Sequence, residues 1–462
     1  MPPDSTNSTD VIVIGAGFAG LAAARELVRG GRSVRVLESR DRVGGRAFTV
    51  GGPGVSFDLG GQWVGPGQKR VLKLLKDYGH ETYPQYEEGS NVVLRAAGGP
   101  EKFKGKYPPV ACLDWIPVRL ASARLAWETY TVHCVFPWSR PAVDALDGMS
   151  LADWIERRTG SAAARELLTV LCRSVFCCEP REISAYFALV SMEACGGLSK
   201  VIDKDGGAQA FRVAGGVQPL TETLAAELGD RIRLRCSVRA LGWSETGVDV
   251  VTDAGVYRAR RAILTAPPST WPGIRFTPEL PEGKRELGVK MPMGAVIKCF
   301  VFYRSAFWKE RGLSGEVLSG RPPLSFVVDA CFKGGQPALV AFFFGDQARR
   351  HAGLGAAERR RVVLDALAEM FGDAREGDVV AYRDHDWVSE PGTLGGYSGI
   401  LGPDGAARLM RELRTSCGAL HFAGTETAKQ WPGYFEGALE SGERAADEVE
   451  LGLSGQNSEQ RT

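Results

Sequence analysis

The sequence predicts an α/β fold in which a Rossmann-type nucleotide-binding domain, assembled from separated segments, is interleaved with an α+β domain. Three observations point there. A strand–turn–helix–strand unit of about thirty residues opens the chain, the size of a parallel βαβ unit. A strand, a glycine-rich turn and a helix close it over "ALHFAGTET" and "PGYFEGALESGERAADEVELGL". The long middle reads first as helices and then as strands, so the two ends look like parts of one domain held apart by another.

Taken in order, "DVIVIG" (residues 10–15) is a continuous apolar strand that stops at a glycine, the pattern of a strand buried on both faces. "FAGLAAARELVRGG" carries apolar residues at 18, 21, 22 and 27, a helical stripe ended by Gly30 and Gly31. "SVRVLE" (33–38) is the second strand. From Val71 to about Phe211 the reading is mainly helical, including "LASARLAWETYTVHCVF", "LADWIERRTG" and "AARELLTVLCRSVFCC". A helix over "QPLTETLAAEL" follows, and "GVDVVTDAGVYRARRAILTA" alternates like a hairpin returning to a buried strand. "VIKCFVFY", "LSFVVDA" and "ALVAFFFG" read as strands beside the helix "AAERRRVVLDALAEMFG". No internal repeat or low-complexity stretch is present.

Composition narrows the function classes. The 462 residues are 44% apolar and 24% charged with a formal net charge of +1, which gives no nucleic-acid-binding surface. Ten cysteines without a CxxC pair, and five scattered histidines, point to core thiols and to no metal site. The start "MPPDSTNST" lacks a signal peptide's basic and apolar regions, and no apolar run reaches the roughly 18 residues of a membrane span. A soluble, cytoplasmic protein is expected.

"GAGFAG" places Gly15, Gly17 and Gly20 in G-x-G-x-x-G spacing between a strand and a helix. The first glycine allows the turn, the second admits a pyrophosphate to the backbone, and the third lets helix and strand pack closely. Glu38 ends the second strand, where a carboxylate can accept hydrogen bonds from a ribose. Just beyond it, "ESRDRVGGRAFT" adds Arg40, Gly44, Gly45 and Arg46, and "FDLGGQWVGPGQ" (57–68) adds another glycine-rich turn. These features suit a long pyrophosphate bridge with a flavin at its far end. Lys298 poses a separate question, because it lies inside the apolar run "VIKCF". An unpaired buried ammonium is costly, so this lysine either snorkels from an edge strand to water or has a partner or a purpose.

The blocks "VIVIGAGFAGLAAARELVRGGRSVRVLESRDRVGGR", "DLGGQWVGPGQ", "MPMGAVIKCFVFY" and "HFAGTETAKQWPGYFEGALESGERAA" resemble the FAD-dependent amine oxidases of the monoamine oxidase type, in order from about residue 8 to 448. That resemblance implies an FAD-binding domain from three discontinuous segments (8–82, 213–288 and 392–450) and a substrate-binding domain from 83–212 and 289–391. A disordered start (1–7) and a polar tail (451–462) complete the expected organisation. It also implies cofactor contacts from Gly15, Gly17, Gly20 and Gly45, from Glu38 at the ribose, and from Arg40 and Arg46 at the phosphate and ribityl region. Val238 is expected at the adenine, Gly61 and Gln62 near the isoalloxazine, Gly424 and Glu426 along the ribityl and phosphate chain, and Trp387 under the ring. Tyr434 is expected beside the ring face. Lys298 matches the lysine that this family keeps near flavin N5 through a water, where it can relay a proton.

The chain departs from the family where many members carry a cysteine that tethers the flavin. Here "LGGYSG" has none, which predicts non-covalent FAD. Either Tyr397 or Ser398 then occupies the second position of an aromatic sandwich with Tyr434, and spacing favours Tyr397. No counterpart of the family's membrane-anchoring C-terminal helix is expected. The resemblance puts Leu171, Cys172, Ile202 and Phe326 along the substrate cavity, with Lys298, Tyr397 and Tyr434 as the catalytic set. Those apolar walls rank a monoamine above a diamine, and a diamine above an amino acid, since Gln62 stands where some amino-acid oxidases have arginine. The expected partners are an amine and O2, with a homodimer left open and no nucleic acid or membrane. The expected activity is oxidative deamination of a hydrophobic amine with H2O2 release. Alternatives are a biosynthetic oxidase, cyclase or dehydrogenase acting on a larger natural-product amine or a polyamine, or a non-catalytic flavoprotein.

Overall fold

The computed structural model describes residues 8–105, 140–332, 335–372 and 376–459, with 108, 120, 123, 124, 127 and 128. The expected helix over 120–136 lies mostly outside them. Residues 1–7, Cys112, His133 and Cys134 lie outside them altogether.

Ser8–Ile14 runs through the middle of an eight-stranded sheet, parallel to Val34–Leu37 on one side and to Gly255–Leu264 on the other. Leu420–Phe422 adds to Gly255–Leu264, again parallel, so strands from the start, middle and end of the chain are neighbours. The expected hairpin is there, Val248–Thr252 pairing antiparallel with Gly255–Leu264. Alternate residues of the first strand enter two cores. Val11 and Val13 pack with the helices Phe18–Arg29, Gln218–Leu228 and Phe435–Glu459, while Ile12 and Ile14 face Leu241, Val250 and Phe422. Burial on both faces is why "VIVI" contains no polar residue.

A second sheet of seven strands has the order Val379–Asp386, Val296–Tyr303, Ala338–Phe344, Phe326–Asp329, Leu313–Ser319, Ser90–Leu94 and Pro100–Phe103. Every residue of Val296–Tyr303 is buried, and the strand has a partner along each edge. Lys298 therefore cannot snorkel from an edge.

Two expectations need correction. The stretch after Val71 is not uniformly helical, because Thr82–Pro84, Ser90–Leu94 and Pro100–Phe103 are strands. "NVVL" before "AAGGP" has the β-branched run and turn residues of a hairpin, and Ser90–Leu94 pairs antiparallel with Pro100–Phe103. The segment from 451 is not a tail, because the last helix runs from Phe435 to Glu459. Leu453 is fully buried in the same core as Val11, and that contact carries the helix past residue 450.

The glycine turn explains how closely the first helix meets its strand. A Cβ on Gly20 would lie 1.9 Å from the Gly15 carbonyl oxygen, and Gly15 itself holds φ at +106°. Gly20→Ala is expected to push the helix off the turn at a cost of about 1–3 kcal/mol, read as a lower melting midpoint. An unchanged midpoint would mean that the helix shifts freely.

Candidate active site

A cavity of about 710 Å³ runs from the glycine turn to the second sheet. At its inner end Glu38 is held rigidly, with Oε2 accepting from the Ala16 amide at 2.8 Å and Oε1 from the Arg40 amide at 2.9 Å. Arg40 donates from Nε to Glu390 at 2.8 Å, while its buried Nη2 has no partner. The His385 ring, with Nε2 3.3 Å from Glu390 Oε2, and the Arg40 hydrogen bond hold the Glu390 carboxyl down at about 2. Gly15, Gly17, Gly45, Val238 and Gly424 line this end. Gly20 does not reach the cavity and acts through packing.

Further along, both amide atoms of Gln62 and the Thr393 hydroxyl are buried without partners, and both residues line the cavity. Buried polar atoms are nearly always satisfied, so this set of waiting donors and acceptors fits a bound dinucleotide cofactor. Gly61 leaves room beside them: a Cβ there would stand 2.5 Å from the Phe435 ring.

Arg46 and Glu426 do something that the sequence did not suggest. Glu426 is not a lining residue; it is buried and accepts from Arg46 Nη1 at 2.6 Å, from the Ser398 hydroxyl at 3.3 Å and from the Gly399 amide at 3.3 Å. Arg46 Nη1 also donates to the Tyr397 carbonyl at 2.7 Å. The ion pair braces the segment that carries Tyr397, and Arg46 holds the Glu426 carboxyl down against the opposing effect of burial.

Lys298 donates from Nζ to the Gly60 carbonyl at 2.8 Å, among the rings of Phe300, Phe342 and Trp63 at 5.2, 5.8 and 6.0 Å. It is only 3% exposed. Burial pushes its ammonium well below the usual range, opposed by the nearby carboxylate of Asp58, and burial pushes Asp58 up. Trp387 lines the same region, with its indole N–H donating to the Leu59 carbonyl at 3.0 Å. Tyr397 and Tyr434 also line it, and burial raises both phenols far above their usual range. The Tyr397 ring meets Phe344 edge-on at 6.3 Å, and the Tyr434 ring meets Trp431 edge-on at 5.2 Å.

Leu171, Ile202 and Phe326 line the cavity as expected. Cys172 does not. It lines a neighbouring pocket of about 30 Å³, which Leu171 also touches, and directs its thiol to the Cys178 carbonyl at 3.7 Å. Phe342, Trp63, Glu316 and Lys204 line the cavity without having been anticipated. A signal for Phe342 existed in the apolar run "LVAFFF", but its register opposite Lys298 did not. Among the described residues no cluster of His, Cys, Asp or Glu could hold a metal, and no helix is long and apolar enough to cross a membrane.

A dinucleotide cradle that opens into an aromatic cavity beside a buried lysine defines a flavin-dependent oxidoreductase. The family model of flavin containing amine oxidoreductases matches residues 18–450. The chain is 36% identical over 446 residues to AofH of Mycobacterium tuberculosis H37Rv, with 96% of each covered. Putrescine oxidase bound to putrescine aligns with a TM-score of 0.91 and 31% identity over 96% of this chain and 99% of that one. Cyclohexylamine oxidase of Brevibacterium oxydans aligns with 0.90 and 30% over the same shares. This chain therefore belongs to the flavin-containing amine oxidoreductases. It is an FAD-dependent enzyme that deaminates amines oxidatively.

Removing one member of a buried ion pair strands the other. Arg46→Ala is expected to destabilise the protein by about 3 kcal/mol, seen in chemical denaturation, and to weaken FAD retention. Ser398→Ala, which removes one weaker contact, is expected to cost about 1 kcal/mol. Equal effects from the two would contradict the bracing role.

Proposed function

We propose that the enzyme oxidises a hydrophobic primary amine, aromatic or aliphatic. The amine becomes an imine, which water converts to an aldehyde or ketone and ammonia, while O2 is reduced to H2O2. The observation that carries this reading is the row of Phe342, Phe326 and Leu318 along the cavity that Lys298 enters. Bound FAD supplies the two-electron oxidation and passes the electrons to O2.

The chain's own residues do the rest. Glu38, Arg40 and the glycine turn bind the nucleotide, and Gln62 and Thr393 offer it hydrogen bonds. Tyr397 and Tyr434 flank the amine as neutral phenols and keep water from it. Tyr397 suits the role better than Ser398, whose hydroxyl is committed to Glu426. Lys298 Nζ, held toward the neutral form by burial, accepts and returns a proton during turnover. FAD is held without a covalent link, since no cysteine stands in "LGGYSG". The eight cysteines among the described residues are all free, which favours a reducing compartment such as the cytoplasm. A diamine is the second reading, favoured by the carboxylates of Glu87, Asp203 and Asp205 among the residues that line the cavity.

Anaerobic mixing with a panel of amines should bleach the flavin absorbance near 450 nm (on the order of one equivalent per site) for hydrophobic monoamines first. Lys298→Met should retain FAD and lose about a hundredfold in turnover with O2. Unchanged kinetics in that variant would remove the lysine from the mechanism. Acid precipitation should release the yellow colour to the supernatant; colour in the pellet would mean a covalent link.

A further inference from the structure

We propose that the Lys204–Glu316 ion pair sets amine selectivity at the outer end of the cavity. Lys204 stands where the second ammonium of a long diamine would bind, so the enzyme accepts uncharged tails and refuses charged ones. The proposal rests on the reading that the amine is oxidised beside Lys298.

The second sheet supplies a ruler. Lys298 lies opposite Phe342, Phe342 opposite Phe326, and Phe326 opposite Leu318, on four neighbouring strands. All four residues line the cavity. With about 4.8 Å between neighbouring strands, the row is about 14 Å long. Glu316 lies two residues before Leu318, in the stretch of that strand where the register is irregular, and it too lines the cavity. The rungs between carry only apolar groups, with Phe326 and Phe342 stacked at 5.9 Å. An extended tail of about eight to ten carbons covers most of that row, on the order of 10 Å of it. The rungs of the row itself, Phe342, Phe326 and Leu318, carry no charge.

At that point the carboxylate is already taken. Lys204 Nζ contacts Glu316 Oε2, and the two side chains are only 13% and 10% exposed. Burial lowers the Lys204 ammonium to about 8, with Glu87 and Asp329 opposing the shift, so it remains a cation at neutral pH. Three further carboxylates line the cavity: half-buried Asp203, and Glu87 and Asp205, which are exposed and screened by water. Relative to apolar side chains, a buried ion pair gains little stability, which leaves its presence inside a substrate cavity needing another reason. Selectivity by repulsion supplies one. A diamine's far ammonium would have to shed water and then face a like charge, whereas an alkyl terminus loses nothing.

The test compares octylamine with 1,8-diaminooctane as substrates of the FAD-loaded enzyme, using kcat/KM for each. Wild type is expected to favour octylamine. In Lys204→Met and Lys204→Gln the ratio of diamine to monoamine should rise at least tenfold, because Glu316 is released to bind the far ammonium. Adding Glu316→Gln to either variant should bring the ratio back down. Melting curves and flavin absorbance show which variants are folded, and the glutamine variant decides the matter if the methionine variant is not. An unchanged ratio in the folded variants overturns the proposal, as does a wild type that already prefers the diamine. If wild type oxidises neither compound, the substrate reading itself fails, and this selectivity falls with it.

Discussion

The parallel pairing of Ser8–Ile14 with Gly255–Leu264, extended by Leu420–Phe422, is the constraint on which everything else depends. Parallel strands cannot be joined by tight turns; each needs a long crossover. This chain uses crossovers long enough to hold another domain's elements, and the second sheet is built from them. The same pairing brings the Gly15 turn, Val238 and Gly424 to one end of the cavity, although more than four hundred residues separate the first from the last. A cavity with one wall from each sheet follows from that closure.

Buried charges mark the successive depths of this cavity. Lys298 with Asp58, Arg46 with Glu426, and Lys204 with Glu316 each place ionisable groups where water is scarce. Such groups are expensive to bury, and each set has a different answer to that cost. Lys298 is displaced toward its neutral form and bonded to the Gly60 carbonyl. Arg46 and Glu426 satisfy each other and brace the backbone that carries Tyr397. Lys204 and Glu316 neutralise each other beyond the aromatic row. Between Lys298 and Glu316 the row of Phe342, Phe326 and Leu318 stays apolar.

Much of the fold was legible because it rests on local patterns. "DVIVIGAGFAG" contains its strand, its turn and the start of its helix within eleven residues, and those features need no distant partner to be recognised. The strands at 82–103 were less legible, because Ser90–Leu94 draws half its pairing from Leu313–Ser319, more than two hundred residues away. The last helix was underestimated for a similar reason: only the burial of Leu453 in a distant core carries it to Glu459.

By itself, the sequence determined the nucleotide-binding turn, the acidic residue that follows it, the awkward lysine at 298 and the absence of a tethering cysteine. These are matters of residue type and spacing within one element. Only the tertiary structure decided what the lysine bonds to, that Cys172 turns away from the cavity, that Glu426 is a brace, and that Glu316 meets Lys204. Each of those depends on which residues of remote segments share a face after two sheets close. Register across strands is set by the packing of the whole, and no short stretch of sequence contains it.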